Sequence, residues 1–175
     1  MRLGLTLPLR LAQTTTSLIA NIAALNGSQY VQDFAQDMDL NWKGLVKGDP
    51  KELDLVSELS GVPRDQLNLH GSRLIVEPDG RRNFIVAGQV LSNRQFVRGK
   101  LRVCPHCLKA DRAKFGKFGP HTRVYWHVSS IRTCEEHQAA MLELPPAEFP
   151  RDIHDTYARI RDHWDIVERG STEGL

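Results

Sequence analysis

Cys104-Pro105-His106-Cys107 and, 26 residues later, Cys134-Glu135-Glu136-His137 are the side chains whose types and spacing can do chemistry. A two-residue gap lets both members of each pair turn onto one ion, and two such pairs supply the four soft or borderline ligands of tetrahedral zinc. Cys104, Cys107, Cys134 and His137 would then form a full Cys3His shell. A full shell leaves no place for a reactive water, so the expected ion is a single structural Zn2+ stapling residues 101–142. The competing reading is a chance Cys-x-x-Cys, with Cys134 in the core and His137 on the surface. His106, His121 and His127 are spare histidines able to exchange into the shell. Three cysteines, an odd number, exclude a disulfide framework.

Catalytic alternatives lack their residues. A zinc nucleobase deaminase needs His-x-Glu upstream of Pro-Cys-x-x-Cys, and here the proline follows the first cysteine. Glu135-Glu136-His137 has one histidine where a zincin has two. No nucleophile elbow, phosphate loop or dinucleotide-binding glycine pattern occurs. The acid pairs Asp37/Asp39 and Asp162/Asp165 fit solvated helix faces. The expectation is a protein that is not an enzyme, with no catalytic residues. A zinc-dependent nuclease is the disfavoured alternative, since no His/Asp general-base pair stands near the knuckles.

Charge gives the metal-binding segment a context. The 175-residue chain carries 23 Lys and Arg against 21 Asp and Glu, a net +2 that conceals a division. Residues 81–132 hold twelve of the cations and a single acid, Asp111. Such a block needs a polyanion, an acidic partner or the chain's own acidic segments to offset it. The candidate nucleic-acid contacts are Arg94, Arg98, Lys100, Arg102, Lys109, Arg112, Lys114, Lys117, Arg123 and Arg132. They are interleaved with Phe115, Phe118, Tyr125 and Trp126, which can meet bases or an apolar partner. For Tyr125 and Trp126, beside a knuckle, the plainer role is core of the zinc subdomain.

The elements that must position these groups follow from capping residues and periodicity. Ser17 is the expected cap of a helix through Leu18, Ile19, Ile22, Ala23 and Leu25, stopped by Asn26-Gly27, and a second helix is expected from about Ser28 to Met38. Asp49-Pro50-Lys51-Glu52 starts a helix that stops at Gly61. Gly61-Val62-Pro63 restarts a shorter helix through Leu67 and Leu69. The pair has a weak helix-turn-helix outline, or is a plain packing pair, because its second helix carries one arginine beside an aspartate. Residues 73–77 and 84–86 flank Pro78-Asp79-Gly80 as a hairpin. A Pro-rich connector at residues 144–150 leads to one amphipathic helix from about Arg151 to Arg169, with Ile153, Tyr157, Ile160, Trp164 and Val167 on one docking stripe.

The expected fold is therefore α+β and mainly α-helical. Residues 1–72 form a helical N-terminal region, 73–144 a hairpin plus a zinc-ribbon-like Cys3His subdomain, and 151–169 a C-terminal docking helix, together one domain. With 41% hydrophobic residues and no run near membrane length, a disordered or membrane protein does not fit. A short apolar N-terminal run without a small-residue cleavage site gives no signal peptide, so a cytoplasmic protein is expected.

The run Arg102-Val103-Cys104-Pro105-His106-Cys107-Leu108-Lys109-Ala110-Asp111, followed by Tyr125-Trp126, Thr133-Cys134-Glu135-Glu136-His137 and Leu142, resembles the TniQ family. A Ser-Leu start at Ser17-Leu18, Asn26-Gly27 and Leu59-Ser60-Gly61 extend the resemblance over roughly residues 10–144. It implies a target-site selector of DNA transposition. Such a protein links target DNA, or an RNA-guided effector complex as in CRISPR-associated transposons, to an AAA+ ATPase regulator. The four knuckle residues match the family's zinc ligands. Thr15-Thr16-Ser17-Leu18-Ile19 departs from the family's Gly-Glu-Ser and tryptophan at this point, and the second zinc motif and extra helix-turn-helix modules of longer members are not in this sequence. A pure protein adaptor without DNA binding is the main alternative, and a homodimer stays open.

Overall fold

The computed structural model describes residues 2–171. The fold is α+β. Five helices come first: α1 (Thr15–Leu25), α2 (Val31–Asp37), α3 (Trp42–Lys47), α4 (Pro50–Ser60) and α5 (Arg64–Leu69). An antiparallel meander of β1 (Ser72–Val76), β2 (Arg82–Val86) and β3 (Gln89–Ser92) follows. Then come β4 (Arg102–Val103), α6 (Pro105–Phe115), a 3₁₀ turn at Val124–His127, β5 (Leu142–Glu143), α7 (Thr156–Asp162) and α8 (Trp164–Gly170).

Local signals explain most of these boundaries. The Asp49 side chain accepts from the Lys51 amide at the start of α4, Pro50 occupies the first turn, and Gly61 closes the helix at φ 76°. Glu52 does not complete a capping box: its carboxylate accepts from the Asn41 amide at 2.9 Å, tying α4 to the start of α3. Four sequence expectations are corrected. The cap of α1 is Thr14, whose hydroxyl accepts from the Ser17 amide, while Ser17 lies buried inside the helix. The second helix begins at Val31, after extended Tyr30. The hairpin gains a third strand through a two-residue turn in which Ala87 and Gly88 both have positive φ, the geometry that suits a tight antiparallel return. The single C-terminal helix is two, interrupted at His163.

Three apolar clusters interlock. The first joins Leu18, Ile19, Ile22, Phe34, Trp42, Leu53, Val56 and Leu67 with Tyr157 of α7. The second surrounds the cysteines with Leu101, Val103, Leu108, Trp126, Leu144, Ile160 and Val167. The third packs Phe84 and Val86 of the sheet on Phe96. The C-terminal stripe thus docks on its own chain, Tyr157 reaching the first cluster and Ile160 and Val167 the second. Asp155 fixes this arrangement by accepting from the Ala158 amide, capping α7, and from the Val31 amide of α2 at 2.7 Å.

Asn21, the polar interruption in the apolar run of α1, is fully buried. Its amide donates to the carbonyls of Phe118 and Pro120 at 2.9 and 2.8 Å, and its oxygen accepts from Ser17. The loop beyond α6 is thereby bolted to the N-terminal bundle, because buried carbonyls without donors are costly. Replacing Asn21 by Ala is expected to lower unfolding stability by about 2–4 kcal/mol in chemical denaturation. A loss within about 0.5 kcal/mol would contradict the bolt.

Candidate metal centre

Cys104 stands at the extended residue before α6 and Cys107 in its first turn, with Pro105 at the first helical position. The second pair sits in a tight loop, where the Cys134 amide donates to Ala139 O and the Gln138 amide to Cys134 O, both at 2.8 Å. β4 pairs antiparallel with β5, Arg102 opposite Glu143 and Val103 opposite Leu142, closing the subdomain just outside both pairs. The first pair therefore opens a helix, whereas the second is held in a ribbon-like return.

Cys104, Cys107 and Cys134 are buried and His137 is half-buried, and one donor atom from each lies within 4.8 Å of all the others. Cys107 Sγ is 3.6 Å from Cys134 Sγ and 3.3 Å from His137 Nδ1; the Nδ1 atom is 3.7 Å from both Cys104 and Cys134. Metal–sulfur and metal–nitrogen bonds of about 2.3 and 2.0 Å give tetrahedral edges of roughly 3.5–3.8 Å, so the donors are spaced for a small tetrahedral ion. The Cys107 thiol's hydrogen bond is the largest influence drawing the Cys104 thiol down to about 5, against the effect of burial. A thiolate is thus already favoured at the mouth of the helix, in keeping with its dipole. Glu136 is 3.6 Å from Cys107 Sγ, and the His106 ring stacks on His137 at 5.4 Å.

The spare histidines do other work. His106 lies against the cluster without supplying a donor to it. His121 is buried, 2.9 Å from Gly119 O and 3.1 Å from Asp111. His127 is buried beside Phe96, and burial drives its pKa down to about 4, leaving it neutral.

The predicted cations divide sharply. Asp111, the lone acid of the basic block, is buried and takes the Arg123 guanidinium through two oxygens at 2.7 and 2.9 Å. Burial would raise its carboxyl, but the bonds from His121 and Arg123 outweigh it and hold the group below its ordinary range. Arg123 also lies 4.7 Å over the fully buried Trp126 ring. Arg102 donates to the carbonyls of Val128, Ser129 and Ile131, clamping the segment before the second cysteine. Arg102 and Arg123 are therefore internal braces, a correction to their expected place on a phosphate-facing surface. Arg98 is half-buried, donating to Val46 O and Ser72 Oγ. Arg94, Lys100, Lys109, Arg112, Lys114, Lys117 and Arg132 are exposed. Of these, Lys100 pairs with Glu143 at 3.4 Å and Arg112 covers the Trp164 ring. Arg159, outside the basic block, is a third buried brace, reaching Gly99, Pro145 and Ile153 carbonyls. The one sequence signal for such braces was Asp111 itself: a single acid among twelve cations is a natural internal partner.

The family model TniQ matches residues 5–141. No curated protein matches the chain. No described helix is long and apolar enough to cross a membrane.

Replacing Asp111 by Asn leaves Arg123 buried with a neutral partner, and the expected loss in thermal or chemical unfolding is about 3–5 kcal/mol. The double variant Asp111→Leu/Arg123→Met should recover part of that loss. Full additivity of the two single changes would show that the pair is not coupled.

Proposed function

Because this chain belongs to the TniQ family of transposition-associated proteins, we propose that it is a non-catalytic adaptor for target-site selection, built on a structural Zn2+ centre. The observation that carries this reading is the donor set: three buried cysteines and one imidazole closing on a single point. Cys104, Cys107, Cys134 and His137 would hold the ion. Bound there, zinc supplies a four-way cross-link with no open coordination position, and so geometry rather than reactivity. The function is then binding, in which the subdomain presents what its surface carries.

That surface is basic next to the centre. Lys109, Arg112 and Lys114 project from α6, whose N-terminal end holds two of the donors, and Lys117 follows in the adjoining loop. A rigid helix bearing these cations suits the phosphates of target DNA or of the RNA in a guided complex. On the family reading, the partner on the other side is an AAA+ ATPase regulator of transposition. A second reading, a pure protein adaptor, is favoured by the internal use of Arg102 and Arg123 and by exposed Leu11 and Phe115 beside the cationic helix. An acidic protein face with an apolar centre would fit that combination.

Fluorescence anisotropy of the metal-loaded chain on duplex DNA and on RNA, from low to physiological salt, separates the two. Nucleic-acid binding predicts a linear fall of log affinity with log salt, shallower by about two in Lys109→Gln/Lys114→Gln. No binding at low salt would assign the face to a protein partner.

A further inference from the structure

A second basic concavity lies away from the metal centre, where α3 meets the sheet and the turn before α7. It encloses about 310 Å3; its cations are Lys43 and Lys47 of α3, Arg82 of β2, Arg98 and Arg151, its floor includes apolar Trp42, Leu74 and Phe84 and a His154 that burial keeps neutral, and no carboxylate lies in its wall. Lys43 and Lys47 are one helical turn apart and exposed, and Arg82 is exposed at the start of its strand. Among the described residues, no ion pair joins Lys43, Lys47, Arg82 or Arg98 to an acid, whereas Arg151 is 3.3 Å from Asp152.

Arg98 is the built part of this groove. One of its nitrogens, Nη1, donates to Val46 O at the end of α3 and to Ser72 Oγ, while the guanidinium lies 4.4 Å over the Phe84 ring. Its Nε and Nη2 atoms have no acceptor among the described residues, so an oriented donor edge is left over. Burial without a counter-charge lowers this guanidinium to about 10. Holding a half-buried cation among other cations costs free energy that an incoming anion would recover. A guanidinium fixed at one nitrogen keeps its fork for two oxygens of one tetrahedral anion, and lysines on a flanking helix add point charges at either side.

We propose that this groove binds phosphates of a nucleic-acid backbone, with Arg98 as the fixed donor and Lys43 and Lys47 as flanking cations. The choice of nucleic acid rests on the adaptor reading above; the preference for phosphate rests on the groove alone. Three of the groove's five cations, Lys43, Lys47 and Arg151, lie outside the basic block at residues 81–132. A strand engaged there would thus be held at a place distinct from α6, giving the chain two separated phosphate contacts.

The test uses the full metal-loaded chain and labelled single strands of thymidylate DNA and uridylate RNA of about twenty nucleotides. Lys43→Gln/Lys47→Gln is compared with Lys109→Gln/Lys114→Gln across a salt series, with melting temperature as the folding control. The groove variant should bind about tenfold more weakly, with a salt slope shallower by about 1.4, at unchanged melting temperature. A loss on one strand type only assigns the groove to that polymer. Wild-type affinity in the groove variant, with loss in the α6 variant, would overturn the groove and leave the adaptor reading standing. Weaker binding with an unchanged slope would overturn it too, because phosphate contact requires counterion release. Failure of the unaltered chain to bind either strand at low salt would overturn the groove and the nucleic-acid reading together and leave the pure protein adaptor.

Discussion

Outside α6 the polypeptide between Leu101 and Leu144 has only two-residue strands and one 3₁₀ turn as regular structure, and four donor groups from its two ends converge on one point. Cys104 and Cys107 start α6; Cys134 and His137 lie beyond a long excursion. A metal cross-link between them would fix the direction of α6, against which α8 packs, and would close the β4–β5 pair. Metal coordination suits such a segment because its free energy does not depend on buried area. The arginine braces extend the same logic. Arg102, two residues before the first cysteine, captures three carbonyls of the approach to the second, and Arg123 joins α6 to the turn carrying Trp126 through Asp111. Gly119 permits the return after α6, since a side chain there would collide with the backbone oxygen of Asp111.

The two halves of the chain are not independent units in this arrangement. Asn21 reads the carbonyls of the loop after α6, and the Thr14 and Thr122 hydroxyls meet at 3.0 Å. Asp155 joins α2 to α7. Each contact is polar and buried, so it specifies alignment as well as contributing stability. The consequence for an adaptor is mechanical: a partner gripping the helical bundle and a partner gripping the metal subdomain would be held at a set separation.

How much of this was legible in sequence depended on whether the signal was local. The cysteine and histidine spacing led directly to the four residues that cluster, because a two-residue gap is itself a geometric statement. Asp49-Pro50 and Gly61 bounded α4 for the same reason. Thr14-Thr15-Thr16-Ser17 offers four hydroxyls in a row as caps for α1, and the tertiary contact of Thr14 with Thr122 selects among them. The short α3 gives no periodic signal, although Asn41 caps it and Gly48 ends it at φ 77°, since one and a half turns leave too little periodicity. The spacing of Tyr157, Ile160, Trp164 and Val167 is continuous across a real break at His163, so periodicity alone could not show two helices. The division of the arginines was the least legible part. Arg102 and Arg123 have the same composition signature as Lys109 and Lys114, and only the fold turns the first two inward.

The cationic face of α6 and the adaptor role presuppose that the metal subdomain is a closed structural centre. X-ray absorption at the zinc edge of the purified, metal-loaded chain tests that most directly. The account predicts three sulfur scatterers at about 2.3 Å and one nitrogen at about 2.0 Å, with no further light atom in the shell. A shell with fewer than three sulfurs, or with a water oxygen bound, would contradict it and reopen the metal as a reactive centre.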